Sequence, residues 1–278
     1  LADRLGAPAA FLGALSPDVH GDVLLDHLEA NGVVTSGVTR VDAPTAIARV
    51  EHDPVLRFVF DGDGTADTRY ELPASFMTSP TDIVHGGTLG LFRGSTAETL
   101  ATLAEAHRAA GGTVSVDINV RPQIIDDRDR WDAFHQRWLA VADIYKGSDE
   151  DLEWAFPGRT PESVAEELLA GGTMTAVVIT RGSAGLSVET TSGSIMVVPK
   201  AIEVVDTVGA GDTIVGALLT QLHESAAAAG GGGRHVESVS RDDWATFATE
   251  AVDAAAITCS RAGADVPYRH ELGWSGST

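Results

Sequence analysis

Apolar and polar positions follow two different patterns along the chain. Between residues 81 and 180, short continuous apolar runs alternate with longer stretches in which apolar side chains recur every three to four positions. Continuous runs are typical of strands buried on both faces, and the longer spacing is typical of amphipathic helices. Strands that alternate with helices predict an α/β fold, with a mainly parallel sheet covered by helices on both faces.

The predicted elements occupy most of the sequence. Strands are expected in residues 9–15, 82–89, 113–119, 143–148 and 175–180, with a hairpin in residues 185–199. Helices are expected in residues 22–33, 95–112, 130–142, 160–172 and 242–263, and directly after residue 212. Ser95 is expected to cap the second helix, with Glu98 completing a capping box, and Thr160 to cap the fourth.

Residues 45–70 show a third pattern, in which apolar and polar positions alternate. Every second residue is apolar in residues 46–50 and again in residues 56–60, and turn signals follow each run. This period indicates strands that are covered on one face only. We therefore expect a small antiparallel sheet set apart from the core, within a segment of residues 40–73 inserted into a single domain of residues 1–278.

Composition narrows the classes of function. The chain of 278 residues has a formal net charge of −21, so it lacks the basic surface that nucleic acids or anionic lipids require. Cys259 is the only cysteine, which excludes a disulfide within the chain and fits a cytoplasmic protein. No apolar stretch has the length of a membrane helix. The first residues, LADRLG, begin with helical spacing and reach a helix-ending Gly6, so we expect further residues upstream.

The segment VVDTVGAGDTIVGALL, residues 204–219, places an acid between a glycine turn and an apolar helix. The first amides of a helix have no helical acceptor, so such a turn makes a site for anions. A carboxylate there suits a second task, the removal of a proton from a hydroxyl beside the bound anion. Asp212 is therefore a candidate general base. Capping of the helix is the alternative, and the turn alone leaves the two about even.

The same segment resembles the C-terminal signature of the PfkB, or ribokinase-like, sugar kinases. Four further segments are similar to this family in order and spacing, most closely to its bacterial fructokinase branch. They are DINVRP (117–122), VADIYKGSDEDLEWAFPGR (141–159), VITRGSAG (178–185) and CSRAGADVPYRHEL (259–272). The resemblance covers nearly the whole chain from Gly6 onward. It implies a ribokinase-like three-layer α/β/α fold, with residues 40–73 as a β-sheet lid over the sugar.

The resemblance also implies a role for each matching residue. Asp212 would be the catalytic base and Arg121 would stabilise transition-state charge, with an anion hole formed by Gly209, Ala210 and Gly211. The nucleotide side would comprise Thr180, Arg181, Gly182, Gly185 and Lys146. The sugar side would comprise Asn119, Asp212 and Phe60, and the metal side Asp151, Asp206 and Thr207. Simpler interpretations remain open: a surface ion pair for Arg121, a surface lysine for Lys146, and lid packing for Phe60.

Two departures from the family pattern stand out. Residues 148–151 read Ser-Asp-Glu-Asp where the family usually has Asn-x-x-Glu, so the acid at Asp151 is one methylene shorter. The family's first strand and its Gly-Gly-x-x-x-Asn turn, which carry much of the sugar contact, do not occur in the sequence, and we expect them upstream of Leu1.

The resemblance implies ATP-dependent phosphorylation of a sugar hydroxyl, with fructose as the first candidate. Mg²⁺ would bridge the phosphates, K⁺ is an optional second cation, and a homodimer through the lid is an option. Alternatives are a kinase for 2-keto-3-deoxygluconate, ribose or a nucleoside, or a catalytically silent sugar-binding relative. The intact Asp212 and glycine turn argue against the last.

Overall fold

The computed structural model of the chain describes residues 1–52, 56–62, 64–231 and 234–274, with side chains except in residues 50–61. The strands are β1 (Gly13–Leu15), β2 (Val38–Arg40), β3 (Ile47–His52), β4 (Leu56–Asp61), β5 (Ile83–Gly87), β6 (Thr113–Asp117), β7 (Ile144–Ser148), β8 (Ala176–Thr180), β9 (Leu186–Thr190) and β10 (Gly193–Val197). The helices are α1 (Val19–Ala30), α2 (Gly94–Ala109), α3 (Arg128–Val141), α4 (Asp149–Ala155), α5 (Pro161–Ala170), α6 (Ala210–Ala228) and α7 (Arg241–Cys259).

A six-stranded sheet in the order β10-β9-β8-β7-β6-β5 forms the centre of the molecule. Strands β5 to β8 are parallel, and β9 and β10 continue the sheet as an antiparallel hairpin. The mainly parallel sheet and the hairpin were both predicted from the sequence pattern. β1 and β2 form a separate parallel pair. β3 and β4 form a separate antiparallel pair, as the period-two rhythm of residues 45–70 predicts.

The central sheet separates two apolar cores. Alternation along β8 sends Ala176 and Val178 into the core formed with α6 and α7. The intervening Val177 and Ile179 belong to the core formed with α2, α3, α4 and α5. Because successive strand residues point to opposite faces, one continuous apolar run can supply both cores. The predicted three-layer α/β/α arrangement is confirmed.

The predicted start of α2 is wrong. The helix begins at Gly94, the cap position is Arg93 without a side-chain cap bond, and Ser95 already lies in the first turn. Gly94 has φ 58°, and an added Cβ would overlap the carbonyl of Thr68. Close packing against the segment that follows β4 therefore sets this helix start, and local capping chemistry does not. Thr160, by contrast, caps α5 as predicted, since its Oγ1 accepts from the Ser163 amide at 3.2 Å.

Helices α4 and α6 begin near the carboxyl ends of the parallel strands, the edge at which open α/β sheets bind ligands. None of the helices in the described ranges is both long and apolar enough to cross a membrane.

Candidate active site

The glycine turn predicted as an anion site opens helix α6. Gly209 holds the cap position with φ 81°, a left-handed conformation that glycine adopts without strain. An added Cβ would lie 2.9 Å from the Cβ of Ala264, on the turn after α7. The position therefore requires glycine twice, for its torsion and for this close approach.

The first turn of α6 leaves backbone donors free. The amide of Thr213 bonds to the Gly209 carbonyl at 2.8 Å, whereas the amides of Gly211 and Asp212 have no acceptor among the described residues. Free amides and the positive end of the helix dipole together favour an anion. The Ala210 amide donates to the Thr207 carbonyl at 3.2 Å, so of the three predicted anion-hole residues Gly209 and Gly211 keep amides without an acceptor among the described residues.

Asp212 is the third residue of α6, and its side chain is exposed. Its carboxylate makes no hydrogen bond or ion pair with the described part of the chain. Asp243 holds the same position in α7, and there the carboxylate completes a capping box with Ser240. The cap of α6 is a glycine without a side chain, so the capping interpretation of Asp212 finds no support. A free carboxylate remains beside the anion hole.

Lys146 lies directly beneath this turn. On adjacent parallel strands it is the register partner of Asp117, and the two side chains form an ion pair with Nζ 2.6 Å from Oδ2. Their side chains are only 7% and 5% exposed, so the surface interpretation of Lys146 is wrong. A Cβ added at Gly211 would lie 3.4 Å from Nζ. The ammonium group therefore adds a second positive feature to the helix start.

Asp117 places a buried negative charge next to the same turn. Its Oδ1 has no hydrogen-bond partner within the described residues. Burial raises the pKa of Asp117; the charge of Lys146 opposes this effect, and the charges of Asp151 and Asp212 add to it. Three carboxylates and one ammonium group thus meet at the carboxyl edge of the sheet.

Asp151 joins the loop after β6 to the start of α4. Its Oδ1 accepts from the Val120 amide at 2.7 Å, and its Oδ2 accepts from the Ser148 amide at 2.8 Å. Ser148 caps α4 in return, so these two residues form a capping box. The predicted metal role of Asp151 stays a prediction. Across the described ranges, no group of three or more His, Cys, Asp or Glu side chains could hold a metal ion by itself.

The loop after β6 carries two predicted site residues. Asn119 has φ 32° and donates from Nδ2 to Oγ1 of Thr88, at 2.8 Å. Thr88, directly after β5, has φ 51°. Such backbone conformations cost about 1–3 kcal/mol each in non-glycine residues. The guanidinium of Arg121 folds back on this loop, and its Nη1 lies 2.9 Å from the Val120 carbonyl, so the surface ion pair weighed for Arg121 is not formed with the described residues.

The predicted cation residues lie on the loop before α6. Asp206 accepts from the amides of Val208 at 3.0 Å and Gly263 at 2.9 Å, and these bonds lower its pKa. The loop is thereby joined to the turn after α7. Thr207 follows and is exposed. Oxygen atoms therefore gather near the anion hole, and the cation role stays a prediction.

The predicted nucleotide turn lies at the end of β8. Thr180 is the register partner of Ser148 on β7, at the same edge of the sheet. Gly182 and Gly185 have φ 51° and 98°, and a Cβ at Gly185 would overlap the Val197 carbonyl. Arg181 is held by Ser187 and by Glu162, its Nη2 lying 2.8 Å from Oε1 of the latter. The glycines shape the turn, and the arginine secures it to β9 and α5.

One predicted sugar residue cannot be placed. Phe60 pairs with Ala48 in the β3–β4 sheet, but its side chain lies outside the described residues.

Sequence reasoning missed Asp117 and Thr88 as parts of the site. The signal for Asp117 was present, because TVSVD alternates and puts Asp117 on the face opposite Val114 and Val116. Thr88 gave no signal, since its backbone torsion and its bond to Asn119 arise only when β5 and β6 pair.

Comparison with known proteins identifies the family. A family model described as pfkB family carbohydrate kinase matches residues 1–271. The chain belongs to this family. Over 223 residues this pfkB-family chain is 34% identical to a fructokinase from Rhizobium leguminosarum bv. trifolii, an alignment that covers 79% of the chain and 67% of the relative. The chain spans about two thirds of the length of the curated relatives it matches.

Solved structures agree on the fold of this pfkB-family chain. It is similar to a fructokinase with bound ATP from Xylella fastidiosa, with a TM-score of 0.86, 26% identity, and coverage of 98% of this chain and 85% of that one. It also resembles a fructokinase from Vibrio cholerae O395 in fructose, ADP and calcium ion bound form, with a TM-score of 0.83, 23% identity, and coverage of 98% and 86%. The ribokinase-like fold implied by the sequence is confirmed.

Proposed function

We propose that this chain transfers the γ-phosphoryl group of ATP to a hydroxyl group of a small sugar, with fructose as the first candidate. The observation that carries the proposal is the unpartnered Asp212 carboxylate beside the free amides of α6 and above the Lys146 ammonium. Relatedness to fructokinases, one of them with bound ATP, supports the choice of donor and acceptor.

Asp212 takes the proton of the attacking sugar hydroxyl. The sugar oxygen then forms a bond to the γ-phosphorus, the bond from that phosphorus to the β–γ bridging oxygen breaks, and ADP leaves with the electron pair. The free amides of Gly209, Gly211 and Asp212 stabilise the charge on the phosphoryl oxygens as it is transferred, and the Ala210 amide joins them when it leaves the Thr207 carbonyl. Lys146 adds its positive charge from below the turn. Arg121 adds the guanidinium N–H groups that are not engaged by the Asn119 and Val120 carbonyls.

The nucleotide lies along the turn of residues 180–185, which is at the same edge of the sheet as the anion hole. A magnesium ion, when bound, neutralises phosphate charge; it usually takes only one or two carboxylates and keeps several waters. Asp151 suits this role, because each of its oxygens retains a lone pair beyond its amide bond. Asp206 and Thr207 would contact a monovalent cation such as K⁺.

The sugar lies between Asn119, Asp212 and the β3–β4 lid, with Phe60 as the lid contact. Closure of a lid would exclude water, which otherwise competes with the sugar for the phosphoryl group. Pairing of lid edges between two copies would form the homodimer. The single cysteine suits a cytoplasmic setting.

Replacement of Asp212 by Asn tests the base. We expect Asp212→Asn to lower kcat by about 10²–10⁴-fold, the usual contribution of a general base, with little change in thermal stability. The measurement is ADP release with fructose, ribose, 2-keto-3-deoxygluconate and a nucleoside.

Asp243→Asn is the matched control, since it changes an acid at the same helical position outside the site. It should keep wild-type activity. Wild-type turnover by Asp212→Asn would remove Asp212 as the base. If no acceptor stimulates ADP release by the wild type, the kinase proposal itself fails and the silent sugar-binding alternative gains.

A further inference from the structure

The two strained residues of the active-site edge hold each other in place. Among the described residues, the non-glycine residues with positive φ are Thr88, Asn119 and Arg234. Thr88 directly follows β5, and Asn119 is the second residue after β6; the last residues of these adjacent parallel strands, Gly87 and Asp117, are register partners. Their side chains share the hydrogen bond from Nδ2 of Asn119 to Oγ1 of Thr88. A β-branched residue such as threonine rarely adopts this conformation, so its presence at the ligand edge indicates a function.

Asn119 lies in a loop that is held on both sides. The Ile118 amide donates to the Lys146 carbonyl at 3.0 Å, and the Val120 amide donates to Asp151 at 2.7 Å. The backbone of Asn119 is therefore tied to β7 and α4, and Thr88 supplies the bond that holds its side chain. With one N–H engaged by Thr88, the Asn119 carboxamide retains Oδ1 as an acceptor and its second N–H as a donor. This donor and acceptor pair matches the hydroxyl groups of a sugar.

The location favours the sugar side over the nucleotide side. β5 is the edge strand of the six-stranded sheet, and the nucleotide turn follows β8, three strands away. The segment after Thr88 leads into α2, and the first turn of α2 contacts the base of the lid. Thr96 of that turn accepts from the Tyr70 amide at 2.9 Å and donates to the Asp67 carbonyl at 2.5 Å. Thr88 thus lies at the edge of the sheet from which the chain continues into the helix that contacts the end of the lid segment.

We infer that Thr88 is a positioning residue for the sugar: its hydroxyl orients the Asn119 carboxamide toward the hydroxyl groups of the acceptor. This inference rests on the proposed sugar kinase function and adds a residue to it. Thr88 acts through Asn119, and its strained backbone keeps the hydroxyl in place.

Three substitutions separate positioning from folding. Thr88→Val keeps the shape and removes the hydroxyl, Thr88→Ser keeps the hydroxyl, and Thr88→Gly relieves the backbone strain but has no hydroxyl. We expect Thr88→Val and Thr88→Gly to raise the KM for the sugar roughly tenfold, the equivalent of one hydrogen bond, with the KM for ATP within about twofold of wild type. Thr88→Ser should stay near wild type. If the sugar KM followed thermal stability rather than the presence of the hydroxyl, the inference would be overturned.

A second readout does not depend on turnover. The side-chain amide signal of Asn119, assigned in an NMR spectrum by its loss in Asn119→Asp, should exchange with solvent faster in Thr88→Val than in wild type or Thr88→Ser. Unchanged exchange would show that the hydroxyl does not hold the carboxamide and would overturn the inference. If the wild type phosphorylated no acceptor, the proposed function would fail, while this measurement would still decide whether Thr88 orients Asn119.

Discussion

The central sheet buries an aspartate at each end, and the two differ in what surrounds them. Asp117 ends β6 at the carboxyl edge, and Asp143 immediately precedes β7 at the opposite edge. Both are almost inaccessible to solvent, and each has one carboxylate oxygen without a hydrogen bond within the described residues. Burial raises the pKa of both, that of Asp143 to about 7.

The Asp143 carboxylate is held by residues that lie outside the candidate active site. Its Oδ2 accepts from the Val114 amide at 2.8 Å, and its Oδ1 lies 3.5 Å from Arg108 and 3.1 Å from Arg234. The Asp143 backbone amide donates to the Val114 carbonyl at 2.8 Å. This aspartate joins β6, α2 and the loop before α7, at the edge of the sheet opposite the anion hole.

Among the described residues Asp117 pairs with one cation, Lys146, whose ammonium group also faces the open first turn of α6. A buried charge is therefore not a site by itself. The site arises where the counter-charge lies beside unpaired amides and a free carboxylate. The following predictions test this contrast from the largest expected effect to the smallest.

Among substitutions of the two buried aspartates and their cations, Lys146→Met should have the largest effect. It removes the charge beneath the anion hole, so kcat should fall by about 10²–10³-fold. It also leaves Asp117 buried without a partner, which costs about 3–5 kcal/mol of unfolding free energy. Steady-state kinetics and urea unfolding measure the two effects.

The double variant Lys146→Met/Asp117→Asn separates these effects. Removing the unpaired charge should restore much of the stability but not the activity. Recovery of activity in the double variant would show that Lys146 serves only to neutralise Asp117, and the contrast between the two ends would be lost.

Asp143→Asn should change stability and leave the kinetics unchanged. Because the folded pKa of about 7 exceeds the ordinary value of 3.8, the folded state retains a proton that the unfolded state has released between about pH 4 and 7. Wild-type stability therefore falls as pH rises through this window, from this group by at most about 1.4 kcal/mol per pH unit. The asparagine side chain of the variant cannot ionise. Between about pH 4 and 8, the free energy of unfolding of Asp143→Asn should therefore rise relative to that of the wild type as the pH rises. An unchanged pH slope, or a raised KM, would contradict this assignment.

Arg234→Met should have the smallest effect. It removes the nearer of the two counter-charges, while Arg108 remains. We expect a loss of about 1 kcal/mol at pH 8 and a smaller loss at pH 5, where the carboxyl group of Asp143 is largely protonated. The free energy of unfolding at the two pH values provides the measurement. A larger loss at pH 5 than at pH 8 would contradict the pairing with Asp143.

The amino-acid sequence by itself determined the layers of this protein and the open helix start at its candidate active site. The spacing of apolar positions was sufficient to predict β8, whose residues alternate between two cores, and the antiparallel pair β3 and β4. The order of glycines around Asp212 was sufficient to predict an open helix start, because its cause is local: glycine torsions and the unpaired amides of a first helical turn.

Only the tertiary structure decided which side chains meet. Lys146 had two open interpretations until pairing of β6 and β7 placed it against Asp117 and beneath Gly211. Asp151 and Thr88 acquired their partners in the same way, from loops that neighbouring strands bring together. The predicted start of α2 failed because packing against Thr68 overrode a good local cap. Contacts between residues about 30 positions apart depend on strand order and register, which no local pattern encodes.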